Sequence, residues 1–445
     1  MPDNLPESHL VKVWQRQWLD STGLVTERGE PIRVIYPGRL NDEPGADFRD
    51  AVIATRKGLR KGDVEIHVRS SGWREHQHHR HPVYNRVILH VVMWNNNKAA
   101  TRLQNGREVP TLALNRYLKI PFSHRLNPAS PAFQCMPCLK VAPVPSNETV
   151  AGFLDRAGEE RFLAKAAGFK KDLVQTEVGQ SLYQGIMGAL GYSKNKLPML
   201  ELARRLPLQV LESVTQGRMS DEERLLRCQA WLLGMAGLPF PPFRDGYRAI
   251  PNDRWLVRLS GQWAFPRHPR VMSARVWNLF KVRPNNSPPQ RLVAMSYLLL
   301  RYREKGLLEG LVNLVREAPV SRGYHELEKG LMVAADGSKT GALLGRGRAA
   351  DIIVNVLLPF TFAWSRFASR SGLGDKAIDL YYHYPRLAAN SVEKHMVEQF
   401  GLDRNLVSSA RRQQGLIHIY NSLCTQGRCN ECLLTQLQAR QDIQV

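Results

Sequence analysis

Cysteine is scarce in this chain, with six residues in 445. They are also uneven: Cys135 and Cys138, then Cys228, then Cys424, Cys429 and Cys432. So few, so clustered, exclude a disulfide framework and point instead to metal. No apolar run approaches the roughly 18–20 residues that cross a bilayer. Met1-Pro2-Asp3-Asn4 has no basic stretch leading into an apolar one, so a signal peptide is not expected. The chain reads as soluble and cytoplasmic, with no membrane partner. Several catalytic signatures are missing too: there is no nucleophile elbow, no His-Glu-x-x-His and no Rossmann fingerprint.

Acidic residues are the remaining shortage, 40 against 62 Lys and Arg, for a formal charge of +22. A field of that sign attracts polyanions, of which nucleic acid is the commonest in a cell. The excess is spread through Arg56-Lys57, Arg60-Lys61, Arg267 to Arg270, Arg346-Gly347-Arg348 and Arg411-Arg412. That distribution predicts a folded basic surface, not a disordered arm. A generally basic protein with no nucleic-acid role is the plainer alternative.

What is present divides into two textures. Leu10, Val13, Trp14 and Trp18 recur at helical spacing, predicting a helix from Glu7 to Leu19. Strands are expected at residues 31–36, 48–54 and 63–69, and the nearly continuous apolar run Val87–Trp94 suits a strand buried on both faces. From about Glu148 long helical patterns take over, at residues 151–167, 178–190, 196–206, 220–235, 289–305 and 349–367. The expected organisation is a sheet domain over residues 1–125, a linker over 126–147, a helical domain over 148–420 and a cysteine tail over 421–445. The fold class is α/β or α+β, with a large helical second domain.

The chemistry concentrates in the third strand. Successive strand side chains point to opposite faces, so Asp63, Glu65, His67 and Arg69 share one face and Val64, Ile66 and Val68 the other. Asp47 lies at the mouth of the preceding strand, where hairpin pairing can bring its carboxylate close to Glu65. Two carboxylates so placed repel unless a cation lies between them. A Mg²⁺ or Mn²⁺ ion needs few of them. Asp63 follows Gly62 and is equally readable as a turn residue. A solvated polar face on an edge hairpin is the bland alternative.

An acid entering a hairpin, followed by an acid two residues before a basic one on the next strand, resembles the PD-(D/E)XK nucleases, the restriction-endonuclease-like superfamily. In that resemblance Asp47 matches the first acid, Glu65 the second, and Glu7 the acid that many members carry on the opening helix. His67 stands where the family has lysine. The resemblance implies a metal-dependent nuclease, acting on DNA more than RNA, with Glu7, Asp47, Glu65 and His67 as catalytic residues. The departure at His67 leaves two outcomes, an imidazole acting as base or donor or a nucleic-acid-binding protein without activity.

Six of the thirteen histidines fall between positions 67 and 90: His67, His76, His78, His79, His81 and His90. They can form a zinc site, or His76 and His78 can contact phosphate beside Tyr84, or the loop can be solvated. His90 lies in an apolar strand, where it is either a core residue or faces the site.

The wider pattern is similar to a bacterial family known as domain of unknown function 2851. Gly45-Ala46-Asp47-Phe48, Gly62 to His67, Trp73-x-x-His76-x-His78, Tyr84, Leu89 to Val92 and Arg283-Pro284-x-Asn286-x-Pro288-x-x-Arg291 carry the match. Ala46 stands where that family has proline. The resemblance covers nearly the whole chain and extends to the terminal cysteines, but it implies no function.

Cys424-x4-Cys429-x2-Cys432 supplies three thiolates, where an iron–sulfur cluster or Zn²⁺ usually takes four. The fourth is expected from Cys138 or Cys135, with His418 as a lesser choice. One early and three late cysteines is similar to the iron–sulfur nucleases of DNA repair and adaptation. The tail also resembles the cluster loop of certain base-excision glycosylases, with shorter spacing. Cys228 reads as a core residue. Gly345-Arg346-Gly347-Arg348 opens a helix and can hold a phosphate through its amides with Arg346 and Arg348. It lacks the Walker ending, so it is not a nucleotide loop; a capping turn is the default.

Overall fold

The computed structural model describes residues 5–19, 23–97, 99–118, 146–238, 271–279, 282, 286–334, 342–369, 372–433 and 435–436. It is a mixed α+β protein, with a sheet in the N-terminal part and a large helical region after it. The fold groups into two units: residues 1–158 with 389–408 and 412–445, and residues 159–388 with 409–411. The last stretch of chain thus groups with the sheet, apart from residues 409–411.

In the first unit, α1 (Glu7–Arg16) buries Leu10, Val13 and Trp14 along one stripe. It stops short of Leu19 because Gln17 turns into the left-handed region at φ 50 and donates its side-chain amide to the Trp14 carbonyl at 2.5 Å. Then follow β1 (Ile32–Tyr36), β2 (Arg39–Leu40), β3 (Phe48–Thr55), β4 (Gly58–Arg69) and β5 (Val87–Trp94). β6 (Thr101–Arg102) and β7 (Glu108–Val109) make a small separate hairpin, and β8 (Thr111–Ala113) returns to the main sheet. The sheet order is β1-β3-β4-β5-β8, with β2 also paired to β3. β1, β3 and β4 form an antiparallel meander, whereas β4, β5 and β8 run parallel. Parallel neighbours need a crossover, and residues 70–86 supply it through the short α2 (Gly72–Glu75) and two 3₁₀ turns.

β4 is longer than expected, because the hairpin turns at Arg56-Lys57 and Gly58 pairs with Thr55. One face of the sheet meets α1: Phe48, Ala51, Ile53, Val64, Ile66, Leu89 and Val91 form one apolar core with Leu10, Val13 and Trp14. A second core gathers Tyr36 and Val52 with Val150, Leu154, Met396, Phe400, Leu416, Ile419, Cys424 and Cys432. The returning chain is anchored by polar contacts as well. Asp50 sits at a bulge in β3 with φ 62. Its carboxylate accepts from Tyr420 at 2.8 Å and from Arg86 at 2.8 Å.

The second unit is helical. Helix α3 (Asn147–Gln175) leads into it, longer than the expected 151–167. The expected helices at 178–190 and 220–235 recur as Val178–Leu190 and Asp221–Met235, the latter capped by Ser220 accepting from the Glu223 amide at 3.2 Å. The segment expected as one helix at 349–367 is three pieces, Arg346–Ile352, a π-helical Ile353–Leu357 and Leu358–Phe367. Pro359 lacks the N–H that a continuous helix would use there. Among the described residues no helix is long and apolar enough to cross a membrane.

Candidate metal centre

The polar face of β4 is buried. Glu65 and His67 are 5% and 2% exposed although both are polar, so each requires partners. The antiparallel pairing of β3 and β4 places Asp47, just before β3, beside Glu65. The two carboxylates lock the strands reciprocally. The Asp47 amide donates to Glu65 Oε2 at 3.1 Å, and the Ile66 amide donates to Asp47 Oδ2 at 2.9 Å. Burial, and then the neighbouring Glu65, raise Asp47 to about 7. Burial raises Glu65 to about 8, the Asp47 amide opposing and Glu7 adding. Glu7, on the first turn of α1, is also raised, by burial and then by Asp47, while His76 and His78 oppose. Three acids so arranged favour a cation among them.

The imidazoles converge on the same place. Parallel pairing sets Glu65 of β4 against His90 of β5, on the face that also carries His67. His67 Nδ1 lies 2.9 Å from His90 Nε2, and His90 Nδ1 lies 2.9 Å from Thr101 Oγ1, itself 3.2 Å from Thr111 Oγ1. The other nitrogen of His67, Nε2, is 3.2 Å from His76 Nδ1. His78 brings its Nε2 to 2.9 Å from Glu65 Oε1, yet this buried atom has no hydrogen-bond partner. One nitrogen each from His67, His76 and His78 falls within 4.8 Å of the others. Burial depresses His67 to about 2 and His90 to about 3, with neighbouring histidines adding. Neutral imidazole is the form that binds metal.

The crossover supplies the walls. Gly72 packs so tightly on His67 that a Cβ there would stand 2.8 Å from the ring's Cδ2. Trp73 donates its indole N–H to the Arg102 carbonyl at 3.0 Å and meets the rings of His78 and His90. Tyr84 lies over His78, ring centroids 4.0 Å apart. Burial, then Glu65 and Asp47, push its hydroxyl up to about 12.

The expected residues Glu7, Asp47, Glu65, His67, His76, His78 and Tyr84 are thus brought together. His79 and His81 are not part of the trio. Asp63 stands apart: its carboxylate accepts from the Asp50 amide at 3.2 Å and faces Arg86 at 3.5 Å, bracing the bulge. Thr101 and Thr111 are the members sequence reading missed. Two threonines in strands of two and three residues carry no pattern to mark them.

The other expected sites are placed differently. Arg348 does not extend into solvent; its guanidinium lies 3.0 Å over the Tyr192 ring and 3.3 Å from Asp351. Arg346 is exposed and pairs with Glu328 at 2.6 Å. Cys424 and Cys432 are buried in the core with Tyr36 and Val52, and Cys429 is half-buried. Among the described residues, these thiols do not gather as the three imidazoles do. Cys135 and Cys138 lie outside the described residues. Cys228 is a fully buried core thiol, pushed up to about 12 by burial.

No curated protein and no solved structure matches the chain. A family model described as "Protein of unknown function (DUF2851)" matches residues 7–388. The match begins at Glu7 and takes in every carboxylate and imidazole of the site. It ends before the terminal cysteines, which the sequence resemblance was expected to include. On that span the chain belongs to the DUF2851 family.

Proposed function

We propose that the protein is a metal-dependent phosphodiesterase acting on nucleic acid, with DNA as the first substrate to test. The observation that carries this reading is the reciprocal lock of Asp47 and Glu65 across two antiparallel strands, with Glu7 facing them from the opening helix. The order helix, antiparallel meander, parallel crossover supports the nuclease-like comparison, and the charge of +22 suits a polyanionic substrate. A divalent ion bound there would polarise a phosphoryl oxygen and ease ionisation of water.

The chain's own groups then have distinct tasks. Asp47 and Glu65, each already oriented by a backbone amide, would hold the ion. Glu7, on the rim beside Asp47, accepts a proton from the attacking water. A P–O bond forms to that water as the P–O bond to the leaving group breaks, and the leaving oxygen takes a proton from solvent. His67 does not reproduce a lysine's positive charge, since burial and its contacts keep it neutral. It serves as a holding group.

The test is cleavage of plasmid DNA, single-stranded DNA and RNA with Mn²⁺ or Mg²⁺, using the full chain and Asp47→Asn and Glu65→Gln. Both variants are expected to lose at least about 100-fold in rate. Cleavage that persists in both variants overturns the assignment. Nucleic-acid binding with no cleavage by the unaltered chain would instead make it a binding protein.

A further inference from the structure

We propose that His67 Nε2, His76 Nδ1 and His78 Nε2, with Glu65 Oε1, hold one first-row transition-metal ion. The inference rests on the site proposed above, adds three imidazoles to its Glu65 carboxylate with Asp47 remaining beside them, and names its metal: a borderline ion such as Zn²⁺ or Co²⁺, not Mg²⁺, which favours oxygen ligands and retained water.

Geometry carries it. Two imidazole nitrogens on one tetrahedral ion stand roughly 3.3 Å apart, and His67 Nε2 and His76 Nδ1 are 3.2 Å apart. The third nitrogen, from His78, lies within 4.8 Å of both. His78 is 7% exposed, and its Nε2 has no hydrogen-bond partner. A buried ring nitrogen without a hydrogen bond is costly, and an ion among the three would satisfy it. Glu65 Oε1 completes the set at 2.9 Å from His78 Nε2 and 3.7 Å from His67 Nε2.

The surroundings have the form of a second shell. A metal-binding histidine usually donates its other N–H to a fixed acceptor. If His67 binds through Nε2, its Nδ1–H donates to His90 Nε2, and His90 Nδ1–H donates to Thr101 Oγ1. The Thr101 hydroxyl can then donate to Thr111. Every member keeps one consistent proton direction. His90 and Thr101 are positioning residues, 0% and 5% exposed, and do not reach the ion.

The experiment uses the full chain stripped with a chelator, then titrated with Co²⁺ and, separately, Zn²⁺ in excess Mg²⁺. Visible absorption follows the Co²⁺ ligand field, and elemental analysis counts ions after dialysis. The expected result is a Co²⁺ spectrum of nitrogen and oxygen ligation, displaced by Zn²⁺ and not by Mg²⁺. His76→Ala, at an exposed position, should remove that spectrum while the circular dichroism of the fold is unchanged. Thr101→Val should weaken binding about 10–100-fold and alter the Co²⁺ spectrum. Cys432→Ser should leave the histidine-dependent equivalent in place. Folded protein that binds no Co²⁺, or binds it unaltered in His76→Ala, overturns the proposal. Metal bound as expected without any phosphodiester cleavage removes the hydrolase reading and leaves this one standing. Cleavage supported by Mg²⁺ alone, with no Co²⁺ bound, does the reverse.

Discussion

The histidine loop and the cysteine tail look alike as sequence, each a short stretch dense in metal-binding side chains, yet they fold to different ends. His67, His76 and His78 come from β4, the end of α2 and the 3₁₀ turn after it, and their nitrogens converge. Cys424 and Cys432 instead enter an apolar core with Tyr36, Val52, Leu416 and Tyr420. Gly427, between them, adopts φ +70 and sits so close that a Cβ would stand 2.9 Å from Val52 Cγ1. The difference teaches that ligand density along a chain does not decide convergence. The elements carrying the ligands must also aim them at one point, and something must hold the far side of each ring.

The sharpest way to break the comparison is at Gly72. An added methyl must push the His67 ring out of its seat between Gly72 and His90. Gly72→Ala is expected to cost about 1–3 kcal/mol in urea unfolding and to weaken Co²⁺ binding with it. Unchanged stability and unchanged binding would show that His67 is not held as described.

A smaller effect comes from pH. Asp47 and Glu65 are raised to about 7 and about 8, so the folded protein keeps protons that the unfolded chain has already lost. Their contribution is present at low pH and is lost as pH rises through those values. His67 and His90, depressed to about 2 and about 3, act in the opposite sense, and only below the ordinary histidine range near 6.5. Between about pH 6.5 and 8 the carboxylates act without that opposition. Metal-free protein should therefore lose about 2 kcal/mol across that interval. Zn²⁺-loaded protein should lose much less, because the ion favours the ionised carboxylates. Chemical unfolding at several pH values, with and without Zn²⁺, checks both curves; a rise in metal-free stability over the interval would refute the burial of the pair.

The smallest effect is expected at the tail. Cys432 is 4% exposed within an apolar cluster, so Cys432→Ser should cost about 1–2 kcal/mol for a buried hydroxyl. Cleavage and the histidine-dependent Co²⁺ spectrum should not change. A loss of bound iron or zinc from this variant would instead show the tail to be a second metal site and erase the contrast.

Much of the candidate site is legible in the sequence. The pleat of a strand is local, so alternation alone puts Glu65 and His67 on one face with Val64 and Ile66 on the other, and hairpin logic brings Asp47 to them. Leu10, Val13 and Trp14 mark the opening helix, hence Glu7 on its first turn. The break of the expected 349–367 helix into a π-helical middle is not legible, although Pro359 marks a position where regular bonding fails. Arg348 reads as a phosphate ligand because an arginine beside glycines at a helix start looks available. Its stacking on Tyr192 joins residues more than 150 positions apart.

The sequence by itself therefore determined which side chains share a strand face, where most helices run and that the chain carries a large positive charge, because all of these follow from local geometry or simple counting. Only the tertiary structure decided that His67, His76 and His78 converge, with His90 behind His67. His90 reaches His67 through a parallel pairing that closes a loop of over twenty residues, and His90 meets Thr101 from a separate hairpin. It also decided that residues 389–408 and 412–433 group with the sheet and that Cys424 and Cys432 pack into that core. Such outcomes depend on which distant surfaces bury one another, and no short stretch of residues encodes that.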